Sequence, residues 1–394
     1  MKEGWEYKKL GEVCRIERGG SPRPIKDFIT NSPEGLNWIK IGDTDPQGKY
    51  IYSTKEKIKP EGLRKSRWVE VDEFLLSNSM SFGRPYILKT NGCIHDGWLV
   101  LRDYQNSLII DYFYYLLISP HVQNQFRTKA QGSTVSNLNT DRVADVSIAF
   151  PPLSEQQSIV DYLDSAFAKI DAMKANAEKA LNEAKALFQA SLKEMLEPKE
   201  GWVTSTLKDE CYKITDGTHQ TPKYYPSGYI FLSSRNVTSR KIDWEDVKFI
   251  DESQHQLMYK RVAPQVGDIL LAKNGTTGVA AMVDRDVVFD IYVSLALLRS
   301  RGNVTPEYLL AFVNSPIAKE QFDKRLIGMG VPNLHLGEIN QVVITYPQDK
   351  VEQIRMTQRI EELDSLIIRL QANYDKISQE CDALKQAILR QVFE

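Results

Sequence analysis

The chain has 394 residues, of which 42% are hydrophobic and 26% are charged, and its formal net charge is −2. The length indicates two or three domains, and the ordinary globular composition excludes a polybasic tail but not local basic patches. No apolar run approaches the roughly 20 residues of a membrane-spanning helix, and the first residues carry no apolar signal core, so we expect a cytoplasmic protein. The cysteines lack CxxC spacing, which favours free thiols over disulfides or a zinc site.

The most informative feature is an internal repeat with an offset of 196 to 197 residues. Residues 2–5 recur letter for letter at residues 199–202, and further matches follow in the same order. These matches pair Leu10 with Leu207, Cys14 with Cys211, residues 119–120 with 315–316, residues 135–138 with 331–334, and Pro151 with Pro347. An ordered series is hard to obtain by chance, so the sequence predicts two similar frames. Outside these matches the sequences of the two halves differ greatly, which suggests that the two halves recognise different targets.

Each half begins with a globular part of mixed α/β pattern. Strand-like runs occur in both halves, at residues 37–41, 74–76, 99–101, 229–232, 269–272 and 293–298. A short helix is predicted at residues 112–118, and its counterpart at 306–313 precedes the matching Ser-Pro pair. We therefore predict the α/β (α+β) class, with globular domains at residues 1–150 and 199–347.

Each half ends in a long helix, predicted at residues 151–198 and 348–394. Ser154 and Gln157 form a capping-box pattern after two prolines, and Asp349 with Glu352 repeats that pattern. Both helices carry apolar residues at alternating steps of three and four, which is typical of a heptad seam. The predicted seam residues are Leu163, Phe167, Ile170, Leu181, Phe188, Ile360, Leu363, Ile367, Leu370, Ile377, Leu384 and Ile388. A helix of about 65 Å cannot fold into one compact domain, so we expect the two helices to pair.

Catalytic motifs are missing from the sequence. It contains no GxGxxG, HExxH or GxSxG pattern, and no Asn-Pro-Pro-Tyr or Asp-Pro-Pro-Tyr tetrapeptide of the kind amino-methyltransferases use. Residues 1–150 carry 21 basic and 18 acidic residues, whereas residues 151–198 carry 5 and 8. This division is expected if the globular parts face phosphates and the helices face protein. We interpret the chain as a binding module without catalytic residues.

Four sequence features resemble the DNA specificity subunits of Type I restriction-modification systems, and the resemblance covers the whole chain. Gly-Trp opens each repeat, at residues 4–5 and 201–202. The other strings are ITDGTHQTP at residues 214–222, ILLAKNG at residues 269–275, and FPPLSEQQ at residues 150–157, which leads into the first long helix.

The resemblance implies two target recognition domains, each reading half of a split double-stranded DNA site. They would be joined by two antiparallel coiled-coil helices acting as a spacer, in a tandem pseudo-symmetric repeat. It also implies that two methyltransferase subunits dock on the assembly, and that ATP-dependent translocase–nuclease subunits join for restriction. S-adenosylmethionine, ATP and magnesium would belong to those partners, and this chain would bind no cofactor or metal. The pseudo-symmetry further predicts that the C-terminal helix ends near residue 2.

Base edges are read by Arg, Lys, Asn, Gln, Ser and Thr side chains on loops or helix ends. The glycine-containing loop at residues 18–26 is the leading candidate in the first domain, although it could equally be a solvated loop. The candidate DNA-contacting residues are Arg18, Ser21, Arg23, Lys26, Ser79, Arg84, Ser133, Thr134, Thr218, His219, Gln220, Lys223, Arg235, Asn236, Lys273 and Asn274. A basic cluster between residues 55 and 67 is open to two interpretations, a phosphate clamp or a solvated charged face.

Two rival interpretations belong to other classes of protein. A fused methyltransferase–specificity polypeptide would need a cofactor-binding domain, for which two repeats leave no room. A coiled-coil scaffold with protein-binding ends would lack sequence-specific, salt-sensitive DNA binding. On the helices, apolar side residues such as Leu366 and Ile368 could meet the methyltransferase subunits or flank the seam.

Overall fold

The computed structural model describes residues 3–46, 48–78, 83–130, 138–326 and 333–394. The chain divides into two units. The first unit comprises Met1–Asn176 and Asp375–Glu394, and the second unit comprises Ala177–Tyr374. Both boundaries fall inside long helices, so each unit contains one globular part and a segment of each helix.

The first unit is built from short strands followed by helices. Its strands are β1 (Glu6–Lys9), β2 (Arg15–Arg18), β3 (Ile29–Thr30), β4 (Leu36–Ile39), β5 (Tyr50–Ile51), β6 (Glu56–Ile58), β7 (Arg67–Val69), β8 (Phe74–Ser77), β9 (Pro85–Leu88), β10 (Gly92–Ile94), β11 (Trp98–Arg102) and β12 (Ser147–Phe150). Its helices are α1 (Leu10–Val13), α2 (Ile110–Ile118), α3 (Pro120–Ala130), α4 (Thr140–Ala144) and the first part of α5 (Leu153–Leu196). Single 3-10 turns lie at Ile25–Asp27, Ile41–Asp43 and Pro60–Lys65.

Two five-stranded sheets form the globular part of the first unit. One has the order β3-β6-β4-β10-β7 and the other the order β2-β11-β8-β9-β5, while β1 and β12 form a separate antiparallel pair. Strands β8 and β9 are buried at every residue, which explains their continuous apolar sequences. Strand β10 pairs with β4 in parallel and with β7 antiparallel.

The long helices complete the core of the first unit. Leu163 of α5 and Leu389 near the chain's end are both fully buried in the cluster that holds the sheet and α2. The Phe393 ring packs at 5.5 Å from the ring of Tyr112. Phe393 also lines a cavity of about 800 Å³ together with Trp5. The end of the C-terminal helix therefore lies beside the N-terminal segment, as the pseudo-symmetry predicts.

The second unit repeats this plan. Its strands are β13 (Val203–Thr206), β14 (Cys211–Asp216), β15 (Tyr229–Leu232), β16 (Lys248–Ile250), β17 (Ile269–Ala272), β18 (Ala280–Met282), β19 (Phe289–Ile291), β20 (Leu295–Ser300) and β21 (Val343–Tyr346). Its helices are α6 (Leu207–Glu210), α7 (Glu252–Val262), α8 (Pro306–Val313), α9 (Pro316–Asp323), α10 (Leu336–Asn340), the last part of α5 and the first part of α11 (Lys350–Phe393). A 3-10 turn lies at Ser234–Val237.

The sheets of the two units have matching topology. The order β14-β20-β17-β18 corresponds to β2-β11-β8-β9, and β16-β15-β19 corresponds to β6-β4-β10. The parallel pairing of β15 with β19 matches that of β4 with β10. Between β16 and β17 the second unit has the 11-residue helix α7, where the first unit has the 3-10 turn Pro60–Lys65 and the edge strand β7. The structure therefore confirms two similar frames and identifies a major difference between them.

Equivalent buried glutamines fasten the long helices to the two globular parts. In the first unit, the Gln156 amide donates to the carbonyls of Ser107 and Pro151 at 2.8 and 2.9 Å, and its oxygen accepts the Ile109 N–H at 3.0 Å. In the second unit, Gln353 makes the same bonds at 2.8 to 3.0 Å, with Asn303, Pro347 and Thr305. Both glutamines are fully buried, so each satisfies three backbone groups at the start of its helix.

The long helices run antiparallel to each other within the first unit. Lys385 donates to Asp171 at 2.5 Å and Lys174 pairs with Asp382 at 3.3 Å, so residue numbers rise on one helix as they fall on the other. In the second unit, Lys185 donates to Gln371 at 2.7 Å. These contacts confirm that α5 and α11 pair.

Most of the predicted seam is buried, with two corrections. Leu163, Ile170, Leu181, Phe188 and Ile360 are buried, whereas Phe167, Leu363, Ile367, Ile377 and Ile388 are half-buried. Leu370 and Leu384 are 42% and 46% exposed, so their assignment to the seam was wrong. Both lie in the seven-residue row that also holds Leu363 and Ile377, and this row is more exposed than the row that holds Ile360 and Cys381. Towards the end of α11 the buried positions are instead Cys381, Leu389 and Phe393.

No helix in the described ranges has both the length and the apolar character that a bilayer span requires. Cys14, Cys93, Cys211 and Cys381 are buried free thiols, in agreement with the expectation from their spacing.

Candidate nucleic-acid interface

The loop after β2, residues 18–26, is called here the first loop, and its glycines press against the neighbouring strands. The Gly19 N–H donates to the Trp98 carbonyl at 2.9 Å, and the Gly20 N–H donates to the Ile94 carbonyl at 3.1 Å. A Cβ on Gly19 would lie 2.1 Å from the His95 carbonyl oxygen, closer than any side chain tolerates. Glycine is therefore required here because the backbone of the loop approaches that of the strand connection.

Asp96 organises the side chains of the first loop. Its carboxylate accepts a hydrogen bond from Ser21 Oγ at 2.6 Å and pairs with Arg23 at 3.4 Å. Its backbone carbonyl accepts from Arg18 Nε at 3.1 Å and from the buried Asn78 amide at 2.9 Å. The hydrogen bond from Ser21 lowers the pKa of Asp96 below its usual value. The structure thus brings three predicted DNA-contact residues, Arg18, Ser21 and Arg23, together around Asp96. Asp96 itself was not predicted from the sequence.

The remaining candidates of the first unit are more scattered. Lys26 lies exposed in the 3-10 turn that follows the loop, and Arg84 is half-buried with its guanidinium 5.5 Å from the Tyr86 ring centre. Ser79, Ser133 and Thr134 lie outside the described residues.

The basic cluster between residues 55 and 67 is partly engaged within the unit. Arg67 pairs with Glu17 at 2.8 Å, and Glu17 also pairs with Arg102 at 3.1 Å. Lys55 and Lys59 donate to backbone carbonyls at 3.1 and 2.7 Å. These contacts favour a structural role for Arg67 over a phosphate clamp, while the exposed Lys55 and Lys59 remain at the surface.

The second loop, residues 217–225, is the counterpart of the first loop. A Cβ on Gly217 would lie 1.9 Å from the Ile291 carbonyl oxygen, which repeats the close approach at Gly19. The Thr218 N–H donates to the Ile291 carbonyl at 3.1 Å, and the Val293 N–H donates to the Thr218 carbonyl at 2.9 Å. Thr218 is thus tied to the sheet by its backbone.

A buried acid also lies beneath the second loop. Asp216 is 3% exposed and its carboxylate pairs with Arg261 at 2.6 Å, with Lys273 at 3.2 Å and with His219 at 3.3 Å. Lys273 is itself 4% exposed. Its ammonium therefore neutralises Asp216 inside the unit and is not presented to a ligand, which corrects its prediction as a DNA contact.

One of two further predictions in the second unit, Asn236, is corrected in the same way. Asn236 is 2% exposed, because its amide donates to the carbonyls of Asp243 and Asp246 and its oxygen accepts the Ser233 N–H. Asn274 is half-buried, and its side-chain oxygen is buried without a hydrogen-bond partner among the described residues. The Asn236 amide therefore supports its loop rather than projecting from it, whereas Asn274 stays a prediction.

Most of the exposed candidates of the second unit lie on the second loop. His219, Gln220 and Lys223 are exposed, and Thr218 is half-buried. Arg235 is about half-exposed and contacts Asp246 at 3.1 Å. Asp96 and Arg261 were both missed from sequence, because each reaches its loop from a distant part of the chain.

The described residues contain no group of three or more His, Cys, Asp or Glu side chains that could hold a metal ion. His219 meets a single carboxylate, that of Asp216. In each unit the loops present hydroxyls and cations at the surface, which are groups of the kind that contact DNA phosphates and base edges.

Sequence comparison shows which proteins this chain is similar to. Residues 2–183 match the family model described as Type I restriction modification DNA specificity domain. The chain is 23% identical to the Type I restriction enzyme EcoKI specificity subunit of Escherichia coli, covering 100% of this chain and 89% of that protein. It is also 23% identical to the Type I restriction enzyme MjaVIII specificity subunit of Methanocaldococcus jannaschii, covering 93% and 88%.

Solved structures agree on the fold. One chain, from a study of complex assembly and conformational transition of the type I R-M system, superposes with a TM-score of 0.76 at 20% identity and covers 100% of this chain and 98% of that chain. The HsdS subunit from Thermoanaerobacter tengcongensis gives a TM-score of 0.58 at 19% identity, covering 100% and 97%. The match at residues 2–183 thus shows that this part of the chain is similar to the Type I restriction modification DNA specificity domain. The chain as a whole is a relative of the Type I specificity subunits, which confirms the resemblance seen in the sequence.

Proposed function

We propose that this chain is the DNA sequence-recognition subunit of a Type I restriction-modification complex, and that each globular unit reads one half of a two-part DNA site. The observation that carries the proposal is the repeated frame with a glycine-anchored loop at equivalent positions, Gly19 and Gly217. The same frame presents different side chains in each copy. Two unlike surfaces on one scaffold suit two unlike half-sites.

The proposed DNA-contacting residues are the predicted residues whose side chains are exposed or half-buried, together with the predicted residues outside the described ranges. In the first unit they are Arg18, Ser21, Arg23, Lys26 and Arg84, with Ser79, Ser133 and Thr134 retained from sequence alone. In the second unit they are Thr218, His219, Gln220, Lys223, Arg235 and Asn274. Arginines and lysines supply phosphate contacts or bind guanine edges, and hydroxyls and amides bind base edges.

The paired helices are proposed to set the gap and to dock methyltransferase subunits, with restriction–translocation subunits joining the assembly. Exposed apolar residues along α11 support a protein contact: Leu366 and Ile368 are 45% and 54% exposed. Ile368 also lines a cavity of about 460 Å³ in the second unit, beside Leu192 and Leu310. Large apolar side chains that are exposed on a helix are candidates for a contact with another protein.

Catalysis is proposed to reside in the partner subunits. S-adenosylmethionine would be bound by the methyltransferase, and ATP and magnesium by the restriction subunits. The role of this chain is recognition and assembly, as its relatives' names as specificity subunits suggest.

The test uses the chain assembled with its genomic-neighbour methyltransferase and maps the methylated adenines in host DNA. The proposal expects two short specific blocks separated by a fixed gap. Methylation at one continuous site would mean that only one unit reads DNA. A complex that leaves no sequence-dependent mark would contradict the proposal and favour a scaffold.

Two glycine variants assign each half-site to its unit. Gly19→Ala and Gly217→Ala each force a methyl group against a backbone carbonyl and should displace one loop. Each should relax one half-site by about tenfold or more and leave the other intact. Gly42→Ala and Gly337→Ala are matched controls, since a Cβ at either position meets no atom within 4 Å.

A further inference from the structure

We propose that helix α7 positions the second loop for DNA reading, with Gln254 and Arg261 as the positioning residues. The inference rests on the proposed function, because it takes residues 217–225 to face DNA. Neither residue needs to touch DNA in this scheme. They hold the two ends of the loop and leave its tip free to make the contacts.

The first contact between α7 and the second loop is at the C-terminal end of the loop. The Gln254 side chain brackets the backbone of Lys223: its oxygen accepts the Lys223 N–H at 2.9 Å, and its amide donates to the Lys223 carbonyl at 3.0 Å. Asp251, the N-cap of α7, accepts a hydrogen bond from the side chain of Tyr225. The start of α7 thus fixes both the backbone and a side chain of the loop.

The second contact between α7 and the second loop is at the N-terminal end of the loop. Arg261 donates to the Asp216 carboxylate at 2.6 Å, and Asp216 immediately precedes Gly217. Gln254 and Arg261 are seven residues apart, so they lie two turns apart on the same side of α7. The helix therefore spans the base of the loop and contacts it twice.

Helix α7 is itself fastened to the sheet below. His255 Nδ1 lies 2.7 Å from the Asp290 carboxylate on β19, and Tyr229 on β15 stacks on the His255 ring with a centroid distance of 3.8 Å and an interplanar angle of 7°. His255 and Val262 are the buried residues of the helix. A rigid link from sheet to helix to loop is what precise placement of base-reading side chains requires.

Between these two contacts with α7, the second loop has a short exposed tip. His219, Gln220 and Thr221 are exposed and lie between the backbone anchor at Thr218 and the buried Pro222. The first unit uses another device: a Cβ on Gly20 would lie 2.7 Å from the carbonyl oxygen of Lys65, in the 3-10 turn at the place of α7. Moving residues 217–225 into a related chain should therefore transfer a half-site only if α7 moves with them.

The experiment compares methylation motifs made by the complete chain with its methyltransferase. Gln254→Ala removes both bonds to Lys223, and Arg261→Met removes the bond to Asp216. Gln256→Ala is the matched control, since that exposed amide bonds only to Glu252 of its own helix among the described contacts. Lys260→Met controls for the loss of one exposed positive charge. Each complex is also checked for its melting temperature.

The expected result is a loss of discrimination of about tenfold in one half-site, the one that Gly217→Ala also affects, with the other half-site read as in the wild type. The controls should reproduce the wild-type motif. An unchanged motif for both test variants, or equal weakening of both half-sites, would overturn the inference while the proposed function stands. A wild-type complex without a two-part motif would instead overturn the proposed function.

Discussion

Gln156 and Gln353 show how single residues can connect a recognition unit to its spacer. Each is buried and makes three hydrogen bonds to backbone groups at the junction of globular part and helix. An alanine at position 156 or 353 would leave these three backbone groups without their hydrogen-bond partner. Equivalent contacts in both units indicate that this junction belongs to the repeated frame and not to either half-site.

Gln156→Ala and Gln353→Ala should each lower the free energy of unfolding by about 2–4 kcal/mol, because buried polar groups lose their partners. Urea denaturation followed by circular dichroism measures the change. The neighbouring exposed Gln157 bonds only to Asp161 among the described contacts, so Gln157→Ala should cost less than about 0.5 kcal/mol. Equal effects at positions 156 and 157 would contradict the proposed role.

His95 makes the first unit sensitive to acid. Burial lowers its pKa below 6.5, against the opposing effect of nearby Asp96 and with the help of Lys40. Backbone N–H groups of Gly97 and Ile41 lie 2.8 and 3.2 Å from its two ring nitrogens, and an imidazolium could accept from neither. The folded state therefore disfavours the protonated ring.

Because the folded pKa of His95 is depressed, the unfolded chain binds the proton first as pH falls below about 6.5. Stability should decrease from there down to the folded pKa, by at most about 1.4 kcal/mol per pH unit. Urea titrations of His95→Gln between pH 7.5 and 5 should show a shallower slope than the wild type. A steeper slope in the variant would refute this assignment.

Helices α5 and α11 combine two functions that sequence periodicity alone does not separate. Ile170 and Leu181 are 4% and 5% exposed, whereas Leu187, Leu366 and Ile368 on the same helices are 45% to 68% exposed. The buried set stabilises the long helices through side-chain packing. Of the exposed set, Leu366 and Ile368 are the proposed contacts with the methyltransferase.

Substitutions in these two sets should separate folding from assembly. Ile170→Ala and Leu181→Ala should each cost about 2–4 kcal/mol of unfolding free energy through lost packing. Ile368→Asp should leave unfolding nearly unchanged but reduce co-purification of the methyltransferase, and Leu187→Ala serves as an exposed control. The docking assignment fails if Ile368→Asp assembles like the wild type.

At the level of elements, much of the fold could be predicted from the sequence. The α5 pattern predicted a helix from Ser154, and the structure begins it at Leu153; the runs at residues 229–232 and 269–272 are strands with those bounds. Long helices and buried strands carry a periodic or continuous apolar signal, which is why these predictions are confirmed.

The supports of the loops could not be predicted, because they depend on tertiary contacts. Asp96 meets Ser21 across 75 positions, and Arg261 meets Asp216 across 45. Charged residues such as Lys273 look like surface residues until their partner is known. Gln156 and Gln353 could have been found, since the repeat offset of 197 residues pairs them directly.

On the scale of the whole molecule, the central claim is that the units read the half-sites while the helices set the gap. Each long helix has 44 residues and begins in one unit and ends in the other. We propose that the two globular parts carry half-site reading and that the paired helices set the gap. Lengthening the helices should change only the distance between the two blocks of the motif.

The most direct measurement inserts one heptad into both α5 and α11, near residues 177 and 374, and maps the methylated motif. Seven residues preserve the buried face and add about 10 Å of helix. The account predicts the same two specific blocks with a gap longer by about two to three base pairs. An unchanged gap, or altered specific blocks, would contradict the division of function between units and helices.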